Sequence, residues 1–261
     1  MIRLIATDLD GTLLRRDGSI SERTRKALGN AREAGLPVVF VTARPPRDLH
    51  AIAHDLGITG LAVCSNGALL YDVAEDRVMR QETLPTAVAL ELIGELRRSD
   101  PGFSFATEHG HKVGREDAFP TAMFDGFVHH HEPRVDPVHS LCDEDLIKIL
   151  VHHPVHGIDD LHALIASLAG DRVAVTHSGA PFVEFGALGV SKASGLLHLG
   201  QDLGVEIIAF GDMPNDIPML TLAGRGVAVA NAHADVLAAA RETTHTNEED
   251  GVARVIETLL R

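Results

Sequence analysis

Cysteine is scarce. Cys64 and Cys142 are the only two in 261 residues, and they lack C-x-x-C spacing. A disulfide framework and a cysteine-based metal site are both disfavoured, and the two thiols read as small buried apolar residues. No apolar run approaches the roughly 20 residues that a membrane-spanning helix requires. The first ten residues, MIRLIATDLD, place Asp8 and Asp10 where a signal peptide needs its apolar stretch, so a cytoplasmic location is expected. Positive charge is also in short supply. Against 37 Asp and Glu there are 23 Lys and Arg, a formal net charge of −14 with neutral histidines. A chain this acidic lacks the basic footprint that phosphate backbones and anionic membrane surfaces demand, so neither nucleic acid nor membrane is an expected partner. Proline and glycine follow no fixed period, which excludes collagen. Internal repeats and low-complexity tracts are missing as well.

What is present resembles an ordinary folded protein. Apolar residues make up 45% and charged residues 23%, enough to bury a sizeable core in one large domain or two modest ones. The N-terminal third alternates strand and helix signals. Ile2 to Thr7, Leu36 to Val41 and Leu61 to Ser65 are short runs rich in branched apolar residues, the mark of buried strands. Between them lie a helix capped by Ser21 and ending at Gly35, and another opened by Pro45 and Pro46 and ending at Gly57. This rhythm predicts a parallel sheet with right-handed crossovers. It returns late in the chain. Helices are predicted over Ser191 to Leu203, Asn215 to Leu222, Ala234 to Ala240 and Gly251 to Leu260, and strands over Val205 to Phe210 and Val227 to Val229.

The middle behaves differently. Helices are predicted near Ala87 to Arg97 and Ile158 to Leu168, and strands near Phe103 to Thr107, Leu146 to His152, Arg172 to His177 and Phe182 to Phe185. Residues 84–186 carry a net charge of −9 and eleven of the sixteen histidines. That shift in composition predicts a smaller α+β domain inserted into the first. The expected division is a core over residues 1–83, an insertion over 84–186, and the rest of the core over 187–261.

Four segments carry chemistry, each at or just beyond the carboxyl end of a predicted parallel strand, where open α/β sheets bind ligands. Asp8-Leu9-Asp10-Gly11-Thr12-Leu13-Leu14 sets two carboxylates beside one pocket. Such a pair suits Mg²⁺, which takes one or two protein carboxylates plus phosphate oxygens, and a carboxylate can itself attack phosphorus. A bare D-x-D-G is often only a turn; the apolar strand before it and Thr-Leu-Leu after it favour the chemical role. Thr42-Ala43-Arg44-Pro45 offers a hydroxyl and backbone N–H groups just before a helix, a fit for phosphate. Gly189-Val190-Ser191-Lys192 aims a lysine at the start of a helix, where it can neutralise a phosphoryl oxygen and an attacking carboxylate. Gly211-Asp212-Met213-Pro214-Asn215-Asp216 supplies a further carboxylate after a strand and a polar shell around it.

Together these segments resemble the haloacid dehalogenase (HAD) superfamily, whose four motifs DLDGTL, Thr42, Lys192 and GDMPNDIPML match in order. Asn66-Gly67-Ala68 before a hairpin, Gly189-Val190-Ser191-Lys192, and Asn247-Glu248-Glu249-Asp250-Gly251-Val252 are similar to the Cof-type phosphatase branch. The place of the insertion resembles a C2-type cap, of the C2B kind. The resemblance implies a Rossmann-like α/β core with an inserted α+β cap, and a Mg²⁺-dependent phosphatase of small phosphorylated metabolites, sugar phosphates foremost. It assigns Asp8 as nucleophile and metal ligand. Asp10 becomes the acid and base, with its backbone carbonyl on the metal. Thr42, Ala43 and Lys192 hold the phosphoryl group, Asp212 ligates the metal, and Asn215 and Asp216 support it. Arg44 and Asn66 are candidate substrate contacts. Ala43 departs from the glycine that many relatives carry, but the threonine hydroxyl is the functional group. The implied assembly is a monomer or small homo-oligomer.

Adjacent histidines such as His129-His130-His131 and His152-His153 point to opposite faces of a strand, so they are poor partners for one metal. Two other functions compete. A phosphomutase of the same superfamily would rephosphorylate its substrate rather than release phosphate. A non-catalytic receiver-like domain also uses acidic residues, threonine, lysine and an aspartyl-phosphate, but it is about half this length and lacks an insertion.

Overall fold

The computed structural model describes residues 4–121, 132–143, 145–199 and 207–261. The chain opens with β1 (Leu4–Thr7), α1 (Glu22–Glu33), β2 (Val38–Phe40), α2 (Pro46–Asp55), β3 (Leu61–Cys64) and the hairpin strands β4 (Leu69–Asp72) and β5 (Arg77–Gln81). The middle holds α3 (Thr86–Ser99), β6 (Ser104–His109), β7 (Lys112–Arg115), β8 (Arg134–Val135), α4 (Val138–Leu141), β9 (Lys148–His152), α5 (Ile158–Ala169), β10 (Val173–Thr176) and β11 (Val183–Ala187). The chain finishes with α6 (Lys192–Leu197), β12 (Ile207–Gly211), α7 (Ile217–Leu222), β13 (Arg225–Ala228), α8 (Ala234–Ala239), β14 (Glu242–Thr243) and α9 (Gly251–Leu259).

Five strands form a parallel sheet in the order β14-β13-β12-β1-β2. A parallel bridge between Val41 and Val63 sets β3 beside β2, and β3 then runs on into the antiparallel β3-β4-β5 hairpin sheet. Strand alternation divides the apolar side chains between two faces. Ile5, Phe40, Ile208 and Phe210 pack with Leu28, Leu49 and Ile256 of α1, α2 and α9. Leu4, Val39, Ile207 and Ala209 pack with Leu196, Met219 and Val236 of α6, α7 and α8. Helices thus cover both faces. β1 lies between β2, from the early part of the chain, and β12, from the late part, so strand order reverses at β1. The carboxyl end of β1 is therefore the crevice where such sheets bind ligands.

The middle segment builds a second sheet, ordered β10-β11-β9-β6-β7-β8 and antiparallel except for the β7-β8 pair. Phe105, Ile149, Val151, Val183 and Phe185 face α3 and α5 and form their own apolar cluster with Leu92, Leu96 and Ile165. The intervening residues must then face the other way. That second face carries Ala106, Leu150 and the smaller cluster with Phe119 and Phe182, and it also carries Glu108, Lys148 and Glu184.

Helix α6 stops at Leu197 instead of running to Leu203. The N–H groups of His198 and Leu199 turn back three residues, to Gly195 and Leu196, and close the helix with tight bonds. Residues 200–206, and the His129-His130-His131 run, lie outside the described residues. Of the other histidine pair, His152 meets the Phe119 ring while His153 lies 4.9 Å from the Phe103 ring, on different sides of their strand. Cys64 is buried and Cys142 half-buried, both as free thiols. Among the described residues, no helix is long and apolar enough to cross a membrane.

Candidate active site

Asp8 is the first residue past β1, and its N–H donates to Phe210 O at 3.0 Å, so the sheet hydrogen bonding fixes its place. Its carboxylate meets Lys192, whose Nζ donates to Asp8 Oδ1 and to Asp216 Oδ1, each at 2.6 Å. Lys192 opens α6, where Ser191 and Ser194 form a reciprocal capping box that fixes the first turn. Asp216 in turn accepts the N–H groups of Asp212 and Met213 on Oδ2, both at 3.0 Å, which shapes the loop after β12. Thr12 donates its hydroxyl to Asp212 Oδ1 at 2.7 Å.

Gly11 makes this approach possible. It has φ +77°, and a Cβ there would lie 2.3 Å from Asp212 Oδ2. Farther out, Asn231 Nδ2 donates to Gly11 O and Asn247 Nδ2 to Leu14 O, both at 2.8 Å. The segment around Asn247 therefore braces the first motif.

Oxygens of Asp8, Asp212 and Asp216 lie within 4.8 Å of one another, and all three residues are buried. Burial pushes the Asp8 carboxyl up to about 7 against the pull of Lys192. Burial, with Asp8 and Asp216 as like-charged neighbours, pushes Asp212 up to about 9. Lys192 is raised despite its burial, because Asp216 and Asp8 favour its charge. One ammonium faces three carboxylates here, so a divalent cation would supply the missing positive charge, and an all-oxygen donor set suits a hard ion. Asn215 Oδ1, buried and without a hydrogen-bond partner among the described residues, adds a further oxygen acceptor at the cavity wall.

The sequence places Asp10 beside this cluster, but its carboxylate is elsewhere. Arg44 grips it through Nε to Oδ2 and Nη2 to Oδ1, both at 2.7 Å. The carboxylate cluster consists of Asp8, Asp212 and Asp216, and Asp216 also holds Lys192 and the loop that carries Asp212. Thr42 Oγ1 accepts the Arg44 N–H at 3.0 Å, which leaves the hydroxyl hydrogen to be donated elsewhere. Asn66 sits at φ +58° past β3, accepts from Asn215 Nδ2 and donates to Glu184 Oε2, both at 3.0 Å.

Asp8, Asp10, Ala43, Arg44, Asp212 and Asn215 line a cavity of about 490 Å³ between the two sheets, whereas Thr42, Asn66, Lys192 and Asp216 are not among its lining residues. Its upper wall holds residues that the motifs did not reveal: Arg47, Glu108, Lys148, Phe182 and Glu184. Arg47 pairs with Glu108 at 2.6 Å and Lys148 pairs with Glu184. A signal existed for two of them. Lys148 and Glu184 interrupt the apolar runs LIKILV and FVEF, and a charge inside a buried strand requires a partner or a ligand.

Comparison with known proteins agrees with the geometry. The sequence profile of the haloacid dehalogenase-like hydrolases matches residues 5–256. The chain is 31% identical to the 5-amino-6-(5-phospho-D-ribitylamino)uracil phosphatase YitU of Bacillus subtilis, over 97% of this chain and 96% of that protein. It is 29% identical to the pyridoxal phosphate phosphatase YbhA of Escherichia coli, with 97% of each chain covered. Among solved structures, a phosphatase of the haloalkanoate (HAD) enzyme superfamily from Bacteroides thetaiotaomicron superposes with a TM-score of 0.82. It shares 27% identity, over 99% of this chain and 95% of that one.

Proposed function

The chain belongs to the haloacid dehalogenase-like hydrolases, and from that premise we propose that it is a Mg²⁺-dependent phosphatase of small phosphorylated metabolites, working through an aspartyl-phosphate on Asp8. The observation that carries this reading is the Asp8 carboxylate at the strand-order reversal, held 2.6 Å from Lys192 and clustered with Asp212 and Asp216.

Asp8, Asp212 and the backbone carbonyl of Asp10 would hold Mg²⁺, with Asp216 and Asn215 beside them. The ion supplies positive charge that keeps Asp8 ionised and screens the phosphoryl oxygens from it. Lys192 and the Thr42 hydroxyl bind those oxygens, with the Ala43 backbone beside them. An Asp8 oxygen then forms a bond to phosphorus as the ester P–O bond breaks. Asp10, in its acid form, gives its proton to the departing alkoxide, and the alcohol leaves. Asp10, now a carboxylate, takes a proton from a water molecule as that water attacks phosphorus. The acyl-phosphate P–O bond breaks and returns Asp8 and inorganic phosphate. Asp10 must leave the grip of Arg44 to reach either oxygen, so Arg44 holds the acid–base group at the cavity edge until substrate enters.

Residues 84–186 are the cap in this reading, and they wall the side of the cavity where the leaving group lies. Sugar phosphates remain the expected class. The activities of these relatives bring a phosphorylated ribitylaminouracil and pyridoxal phosphate into the first panel. The test is phosphate release from an aryl phosphate. Excess chelator should abolish turnover, Mg²⁺ should restore it, and Ca²⁺ should inhibit, because its looser coordination misplaces the nucleophile. Full activity in chelator would sink the metal assignment, and turnover without phosphate release would sink the phosphatase.

A further inference from the structure

Among the described residues three cations line the cavity, Arg44, Arg47 and Lys148, and each already has a carboxylate. Arg44 makes two bonds to Asp10. Arg47 donates to both oxygens of Glu108, at 2.6 and 2.9 Å, and to Gly110 O at 2.6 Å. Lys148 donates to Glu184 and to Ala43 O, the latter at 2.9 Å, and the second oxygen of Glu184 is taken by Asn66. These pairs are not loose surface contacts. The side chains of Arg47 and Glu108 are 8% and 3% exposed, and those of Lys148 and Glu184 are 7% and 3%. Asp48, also buried, adds a carboxylate 3.9 Å from Arg47. The remaining wall here is mostly apolar, with Leu150, Pro181, Phe182 and Met213, and Ser178 adds one hydroxyl-bearing residue.

We infer, on the basis of the phosphatase reading above, that the leaving group carries no second anionic group. The cavity selects monophosphate esters of uncharged or cationic alcohols and excludes bisphosphates and phosphorylated acids, with Glu108 and Glu184 as the residues that determine this. A second phosphate or a carboxylate would have to take Arg47 or Lys148 from its partner. That would strand a buried carboxylate, which costs far more than an exposed pair returns. Until then the incoming anion faces a wall richer in carboxylates than in cations, and specificity of this kind rests on repulsion as much as attraction. The positive charge of the site is concentrated at its other end, on Lys192 and the proposed metal, where the transferred phosphoryl group lies.

The experiment compares matched pairs: fructose 6-phosphate with fructose 1,6-bisphosphate, and glycerol 3-phosphate with 3-phosphoglycerate. Binding is measured calorimetrically with Mg²⁺ on the unreactive Asp8→Asn protein, and kcat/KM on the wild type. The monoanionic-site member should win each pair by roughly tenfold or more, the scale of one unmatched charge in a largely buried setting. Glu108→Gln and Glu184→Gln, added singly, should narrow the ratio by releasing Arg47 or Lys148. Equal or tighter binding of the doubly anionic member overturns the inference. So does an unchanged ratio in both variants, or binding of neither member of either pair. Failure of the wild type to release phosphate from any ester counts against the phosphatase reading instead, because the binding comparison needs no turnover.

Discussion

A buried carboxylate attacks phosphorus only if its charge is supported, and Lys192 at 2.6 Å favours that charge on Asp8 against the larger opposing effect of burial. Asp8→Asn removes the attacking atom, so kcat should fall by at least roughly 10³-fold while the fold survives. Asp10→Asn removes only proton transfer, for which a loss of roughly 10²–10⁴-fold is usual. Rapid-quench trapping separates the two, since a phosphorylated protein can form slowly in Asp10→Asn and never in Asp8→Asn. Wild-type turnover by Asp8→Asn would refute the covalent route. Gly11 offers a structural test nearby. An alanine would need φ +77° and would place its Cβ 2.3 Å from Asp212, so Gly11→Ala should cost roughly 1–3 kcal/mol and weaken metal affinity. Denaturant melts and a Mg²⁺ titration check both. Asp8, Thr42 and Asp212 were legible in the sequence because each is a polar group just after an apolar strand; Lys192 instead opens α6, and the strand before it, β11, is antiparallel and belongs to the second sheet rather than the parallel one. The Arg44–Asp10 pair was not, because it joins side chains from two loops that only packing brings together.

At the scale of elements, strand alternation does most of the positioning. In β6, β9 and β11 one set of residues faces α3 and α5, which forces Glu108, Lys148 and Glu184 to the cavity side. Their charges are therefore a property of the second sheet, while the groups proposed to bind the phosphoryl group are Thr42 and Ala43, in the loop after β2, and Lys192, at the start of α6. Specificity and chemistry should separate accordingly. Replacing residues 84–186 with the cap of a relative of different preference should reorder kcat/KM among metabolites. Activity toward a small aryl phosphate should change much less. A chimera that keeps the original ranking would refute the division. Two connections lead into the exchanged segment: Leu84, whose N–H donates to Leu146 O at 2.8 Å, and the turn at Gly189, with φ +80°. The second can absorb a change in dihedral angle if the cap moves. The existence of helices α3 and α5 and of strands β6, β9, β10 and β11 was legible from apolar pattern alone. The short strands β7, β8 and β14 were not, because two to four residues carry too little periodicity to stand out.

For the whole molecule, charge links stability to pH and metal. In the folded, metal-free protein Asp8 and Asp212 titrate at about 7 and about 9, against an ordinary value of 3.8. The folded state therefore holds protons that an unfolded chain would release. The stability this contributes is full below the ordinary carboxylate range and is lost as pH rises through about 7 and then about 9. In the proposed function Mg²⁺ would bind the ionised carboxylates and so compete with those protons. The rise in melting temperature on adding Mg²⁺ should thus be larger near pH 8 than near pH 5; equal shifts would contradict the assignment of the cluster as the metal site. Sixteen histidines act on a different property. Their full protonation would move the formal charge from −14 to +2, so solubility should fall as the pH drops toward 6 and below. Nephelometry across that range checks it.

The sequence alone determined the alternation of elements, the parallel core, the inserted middle and the four polar motifs. Each of these is written locally, as a run of apolar residues with a period and a punctuation mark. Only the tertiary structure decided that Asp216 lies in the carboxylate cluster, that Arg44 draws Asp10 aside, and that the cations lining the cavity are already matched. Those facts depend on side chains far apart in the chain meeting at set distances, such as Arg47 with Glu108 and Asn66 with both Asn215 and Glu184. Contacts of that kind leave no local pattern, because the geometry that creates them exists only once both sheets have packed.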